Sequence, residues 1–179
     1  DVGTLEIIGG WRKLDQGYIN DYSSSTVNKY AGYMLADYSV NKQHSLEAKW
    51  TGDMLDGRLK YVGGLFYLKE NNRLASADFL GAATATSYNL LADRHFKQTV
   101  ETAAAYLQAD FEVVTNLTLT AGARYTWEQK NLAFFRSTRF PGFGFDSAAA
   151  EAAGIPLRLT EKRVTPRFAI SYKADRNLL

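Results

Sequence analysis

Phe135, Arg136, Arg139 and Phe140 fall within six consecutive residues and set two guanidinium groups beside two aromatic rings. Guanidinium groups hold oxyanions through charge-assisted hydrogen bonds, while aromatic faces stack on planar groups and take cation-π contacts. Together they suit a small, planar, anionic ligand. A second polar segment, Leu14 to Lys42, carries Tyr18, Tyr22, Tyr30, Tyr33 and Tyr38. Tyrosines with few cations nearby suit sugars equally well, and they also suit a loop that packs on itself or a strand that simply continues. Tyr22, Tyr30, Phe135, Arg136, Arg139 and Phe140 are therefore the ligand-binding candidates. Catalysis is not expected: His44 and His95 are the only imidazoles, and neither is spaced with a nucleophile. The absence of cysteine excludes disulfides and thiolate metal sites, and no metal or cofactor is expected.

These groups must be positioned by strands. From Leu117 to Trp127 every odd residue is apolar or small and every even one is polar or glycine, which is the period of an extended strand with one apolar and one wet face. Ten steps of about 3.3 Å, tilted near 40°, rise roughly 25 Å, the height of the apolar band of an outer-membrane barrel. The pattern recurs in five further runs, so strands are expected at about 3–13, 43–52, 57–69, 98–113, 117–130 and 162–174. Short links at Asp53 to Asp56 and Val114 to Asn116 alternate with long ones at Leu14 to Lys42, Asn71 to Lys97 and Asn131 to Thr160. Short turns on one rim and long loops on the other are the plan of a transmembrane barrel. The expected fold class is all-β: an antiparallel transmembrane β-barrel segment of about six strands, with short periplasmic turns, long extracellular loops and no separate domain.

Aromatics on the apolar face sort to the two ends. Trp50, Tyr61, Phe111 and Tyr172 lie toward the short turns, and Trp11, Tyr67, Tyr125 and Trp127 toward the long loops, as expected of two interfacial girdles. The opposite face, which includes Glu47, Lys49, Lys60 and Gln108, supplies Tyr106, Asp110, Arg124, Glu128 and Arg167 as lumen-facing or plug-facing candidates. The plainer reading is a solvated lumen wall whose residues hold one another in place. A hairpin turning near Thr115 would set Val113 opposite Leu117 and Tyr106 opposite Arg124. Pro166 lacks the N–H a ladder needs and is expected at a bulge or near the outer end of its strand. Asp146 to Ala153 reads as a short capped helix within the third loop.

With 179 residues, a net charge of +2 and 13% aromatics, the composition gives no electrostatic reason to expect nucleic acid. Mean hydropathy is -0.28, and no run approaches the roughly 20 apolar residues of a membrane helix. Six strands are too few to close a membrane barrel, so the chain is expected to be an interior piece of a longer polypeptide, with Asp175 to Leu179 opening another turn.

The segments Gln43 to Gly52 and Asp56 to Tyr67 resemble a consecutive strand, turn and strand from the barrel of TonB-dependent outer-membrane receptors. Ala104 to Gln108, Leu117 to Thr126 and Thr165 to Phe168 are similar to following strands of the same barrels. The resemblance implies a 22-stranded barrel in the bacterial outer membrane, closed by an N-terminal plug domain and importing a scarce nutrient with energy relayed by the TonB system. A ferric siderophore is the expected cargo, with cobalamin or an oligosaccharide as further cargoes and a passive porin or channel as the rival function. Expected partners are the plug domain, TonB through that plug, an iron-siderophore or similar small ligand, outer-membrane lipid and lipopolysaccharide. Asp1 opens no signal-peptide pattern, so any leader is expected outside this sequence.

Overall fold

The computed structural model describes residues 3–22, 31–81, 86–87, 89–135 and 146–174. Its strands are β1 (Thr4–Asp21), β2 (Gly32–Met54), β3 (Leu59–Gly81), β4 (Asn89–Val114), β5 (Leu117–Phe135) and β6 (Arg158–Tyr172), with one short helix, α1 (Ser147–Ala152), between the last two. The strands pair antiparallel in chain order as a single open sheet. α1 is capped as its sequence suggests: the Asp146 carboxylate accepts from the Ala149 N–H at 2.8 Å.

Register assigns every side chain to a face. One row runs Ile7, Ala48, Leu65, Ala105, Tyr125 and Val164, and the next Leu5, Trp50, Gly63, Leu107, Ala123 and Pro166. This face is apolar yet uncovered, with Leu65 64%, Leu107 63% and Phe168 79% exposed. Among the described residues the buried apolar side chains are only Ala104 and Ala150. A sheet with no core and a continuous apolar face this large requires an apolar surround.

The aromatics cross the sheet on a diagonal. Trp50, Tyr61, Phe111 and Tyr172 lie on successively lower rows from β2 to β6. That drift of roughly 20 Å along the strands, over four strand spacings of about 4.8 Å, gives a slope near 45°, the tilt of a membrane barrel. A level girdle on tilted strands must drift in this way. Tyr61 also lies against Gly52, where any Cβ would meet its ring.

Three expectations change. The strands run much longer than 3–13, 43–52 or 98–113, so the first two connections shrink to residues 22–31 and 82–88. Above the apolar band no lipid enforces alternation; polar and apolar residues mix on both faces while the backbone stays paired. Val114, not Val113, stands opposite Leu117, because a bulge at the end of β4 takes up one residue. The turn is then Thr115-Asn116, with Asn116 left-handed at φ 70°, and Tyr106 stands opposite Arg124 as expected. Pro166 sits in mid-strand, opposite Ala123, rather than near a strand end. Lys173 N–H donates to the Asn116 carbonyl and Leu132 N–H to the Leu157 carbonyl. With alternating paired and unpaired positions, the nitrogen of Pro166 points away from β5, and no bond of that ladder is lost.

Candidate functional site

The even residues of β1, β3, β4 and β5 and the odd ones of β2 and β6 share the polar face. At its centre the Tyr106 ring lies across Gly64 of β3, where a Cβ would sit 2.7 Å from the ring. Crossing that strand, its hydroxyl donates to Glu47 Oε1 at 2.7 Å. Arg124 covers two rings, with its guanidinium 5.9 Å from the centre of Tyr106 and 5.7 Å from that of Phe66, while its Nε donates to Thr126 Oγ1 at 3.2 Å. Cation-π contacts hold that charge, which has no carboxylate partner among the described residues.

Other candidates sit in separate small networks. Asp110 accepts from Thr120 Oγ1 at 2.6 Å and from Gln108 Nε2 at 3.3 Å. Glu128 pairs with Lys130 at 2.8 Å and accepts from Thr102 Oγ1 at 3.3 Å. Arg167 lies opposite Gly122, exposed on β6. The expected polar wall thus brings Tyr106 and Arg124 together and keeps Asp110, Glu128 and Arg167 apart from them.

Above the outer girdle the polar face carries a second group. Tyr18, Asp37, Ser76 and Arg94 form one row across four strands. Asp78, only 6% exposed, accepts from the Tyr33 hydroxyl at 2.5 Å and pairs with Arg94 at 2.6 Å. Arg94 also donates to Ser76 Oγ at 3.4 Å, and the Tyr22 and Tyr33 rings lie 5.8 Å apart, tilted 34°. Hydrogen bonds from Ser76 and Tyr18, assisted by Arg94, hold the Asp37 carboxyl below its ordinary range. The bond to Asp78 raises the Tyr33 phenol above its own, so it stays a donor.

Tyr22 therefore stands on the polar face, on an aromatic and carboxylate rim. Phe135 stands opposite His95 on the other face, 52% exposed, where it cannot line the interior; Phe134 takes the inner position, its ring edge-on to Phe96 at 5.2 Å. Tyr30, Arg136, Arg139 and Phe140 lie outside the described residues. Asp37, Ser76, Asp78 and Arg94 are not legible as a group in the sequence, because the stretches Leu14 to Lys42 and Asn71 to Lys97 carry no alternation from which a face can be assigned. Continuous extended pairing above the membrane was the signal that would have aligned them.

Among curated proteins, none matches this chain. Residues 3–179 match the family described as TonB dependent receptor-like, beta-barrel, and the chain belongs to that family.

Proposed function

We propose that this chain is part of a TonB-dependent receptor that imports a ferric siderophore across the bacterial outer membrane. Membership of an outer-membrane transport family supplies the frame, and the observation that carries the ligand reading is the inward rim at the top of the sheet. There the neighbouring rings of Tyr22 and Tyr33 stand beside Asp37, Asp78 and Arg94. Rings suited to stacking beside hydrogen-bonding and charged groups fit a planar, polar chelate, and Arg136 and Arg139 would add cations from the third connection. Lower down, the Tyr106, Glu47 and Arg124 network offers a plug domain a polar wall against which it can seat and move.

One observation favours a second cargo. Asp78 already pairs with Arg94, leaving tyrosine faces with little free positive charge, which suits a neutral oligosaccharide; cobalamin is the other cargo to be tested.

Uptake by cells producing the complete receptor tests both readings. Accumulation of a ferric siderophore that stops when TonB is deleted or the proton gradient is collapsed supports the proposal. TonB-dependent accumulation of an oligosaccharide or cobalamin alone replaces the siderophore. Uptake that persists without TonB makes the protein a passive channel.

A further inference from the structure

At the periplasmic end of the sheet, Arg58 closes the turn between β2 and β3 and reaches across to the end of β4. Its Nε and Nη2 donate to the Glu112 carbonyl at 3.2 and 3.0 Å, and Nη2 donates to the Val113 carbonyl at 2.8 Å. The guanidinium also stands 5.8 Å from the centre of the Phe111 ring, a member of the inner girdle on the apolar face. These contacts fix its position without neutralising it: among the described residues no carboxylate pairs with Arg58. Further along the same hairpin the apolar wall is hollow. Gly63 and Ala105 floor a cavity of about 490 Å³, walled by Trp50, Tyr61, Leu65 and Leu107. Leu107 leans to within 3.3 Å of where a Gly63 Cβ would stand, and the Trp50 and Tyr61 rings meet edge-on at 6.3 Å.

We infer that cation and cavity together hold one phospholipid of the periplasmic leaflet, its phosphate on Arg58 and one acyl chain in the hollow. The dimensions agree. From Arg58 to Gly63 is roughly 17 Å of strand, which at a tilt near 45° climbs roughly 12 Å, so a chain hung at girdle level enters the cavity before the bilayer midplane, about 15 Å up. With Nε and Nη2 held by carbonyls, Nη1 remains for a phosphate oxygen, and the planar group is already oriented when the lipid arrives. The hollow gives the chain packing contacts on several sides, where a flat wall gives them on one. Both parts face the membrane, so imported cargo reaches neither. The inference rests on the membrane orientation of the sheet and not on the cargo.

Native mass spectrometry of the complete receptor in mild detergent tests it, with phosphatidylglycerol and a diacylglycerol of the same chains as probes. Arg58→Gln removes a charge-assisted contact and should bind phosphatidylglycerol about tenfold more weakly than the parent, with the diacylglycerol binding both alike. Ala105→Phe fills the hollow and should weaken both lipids by about threefold. Heat-modifiable migration reports assembly of each barrel. If Arg58→Gln fails to assemble, a phosphatidylglycerol carrying a diazirine midway along one chain locates the site in the parent. Its label should concentrate in tryptic peptides 61–69 and 98–124, which carry Gly63, Leu65, Ala105 and Leu107. Label spread evenly over all the strands, equal affinity of the parent for the two lipids, or unchanged affinity in the assembled variants overturns the assignment. None of these readouts involves cargo uptake, so failure here is distinct from failure of the import reading.

Discussion

Tyr106 on β4 donates its hydroxyl to Glu47 on β2 at 2.7 Å, reaching over the whole width of β3 at Gly64. The bond joins strands that are not neighbours in the ladder, and the same ring carries the Arg124 guanidinium 5.9 Å from its centre. Three strands are thereby tied to a fourth by one side chain.

Gly64→Val should test that bridge. A Cβ there meets the Tyr106 ring and the Ala48 carbonyl oxygen, each at 2.7 Å, and backbone does not yield easily. Overpacking of this kind costs typically about 1 to 3 kcal/mol, whereas Tyr106→Phe, which loses one hydrogen bond, should cost about 1 kcal/mol. Urea unfolding of the two variants and their double mutant gives the coupling; strict additivity would separate the glycine from the tyrosine.

Facing is tested at adjacent residues. Ala121 shares its row with Tyr61, Ala109 and Phe168 on the apolar side, and Thr120 hydrogen-bonds Asp110 on the polar side. Ala121→Arg should destabilise the intact barrel by about 2 to 4 kcal/mol, with Thr120→Arg costing far less. Equal losses in a folding titration into lipid vesicles would reverse the faces.

Acid should loosen the upper rim late. Asp37 titrates below its ordinary value in the folded chain, so its hydrogen-bonded, ionised form stabilises the rim at all pH above the unfolded value. That contribution is lost only as pH falls through the depressed folded value. Limited proteolysis should find the rim of Asp37→Asn more sensitive than the parent at neutral pH, with the difference shrinking in acid. A constant difference down to the lowest pH would remove Asp37 from the network.

Ligand capture by the third connection has a direct test. Replacing Arg136 and Arg139 together with Ala removes two charge-assisted contacts of about 1.5 to 3 kcal/mol each, so affinity for an anionic ferric siderophore should fall at least tenfold with barrel assembly unchanged. Binding titrations across siderophores, cobalamin and oligosaccharides decide the matter. If affinity stays constant for every ligand and only protease sensitivity rises, these arginines pack the loop on itself.

Local chemistry was sufficient for the membrane-level part of the fold. Alternation from Leu117 to Trp127, the aromatics at Trp11, Trp50, Tyr61 and Tyr172, and the short turns after Met54 and Val114 each follow from side chains that must choose between lipid and water. The tight hairpin connection after β4 added the one register the sequence could suggest, with Tyr106 opposite Arg124. Beyond the membrane the choice disappears: Tyr18 to Asp21 and Leu35 to Lys42 carry no clean period, and they are strands because their backbone groups pair with neighbours.

Tertiary structure alone decided the contacts made across several strands. Arg94 lies 16 residues from Asp78 and is brought to it at 2.6 Å by the β3 and β4 hairpin; Tyr33 reaches the same carboxylate from β2. The bulge that shifts Val113, the inward turn of Phe134 in place of Phe135, and the juxtaposition of Lys13 with Lys42 and Arg73 with Lys97 likewise depend on register. A sequence records which face a residue prefers, because that preference is a property of one side chain and its solvent. Which residue stands beside it across the sheet is a property of the pairing of whole strands, and one bulge or one added turn residue changes every such neighbour at once.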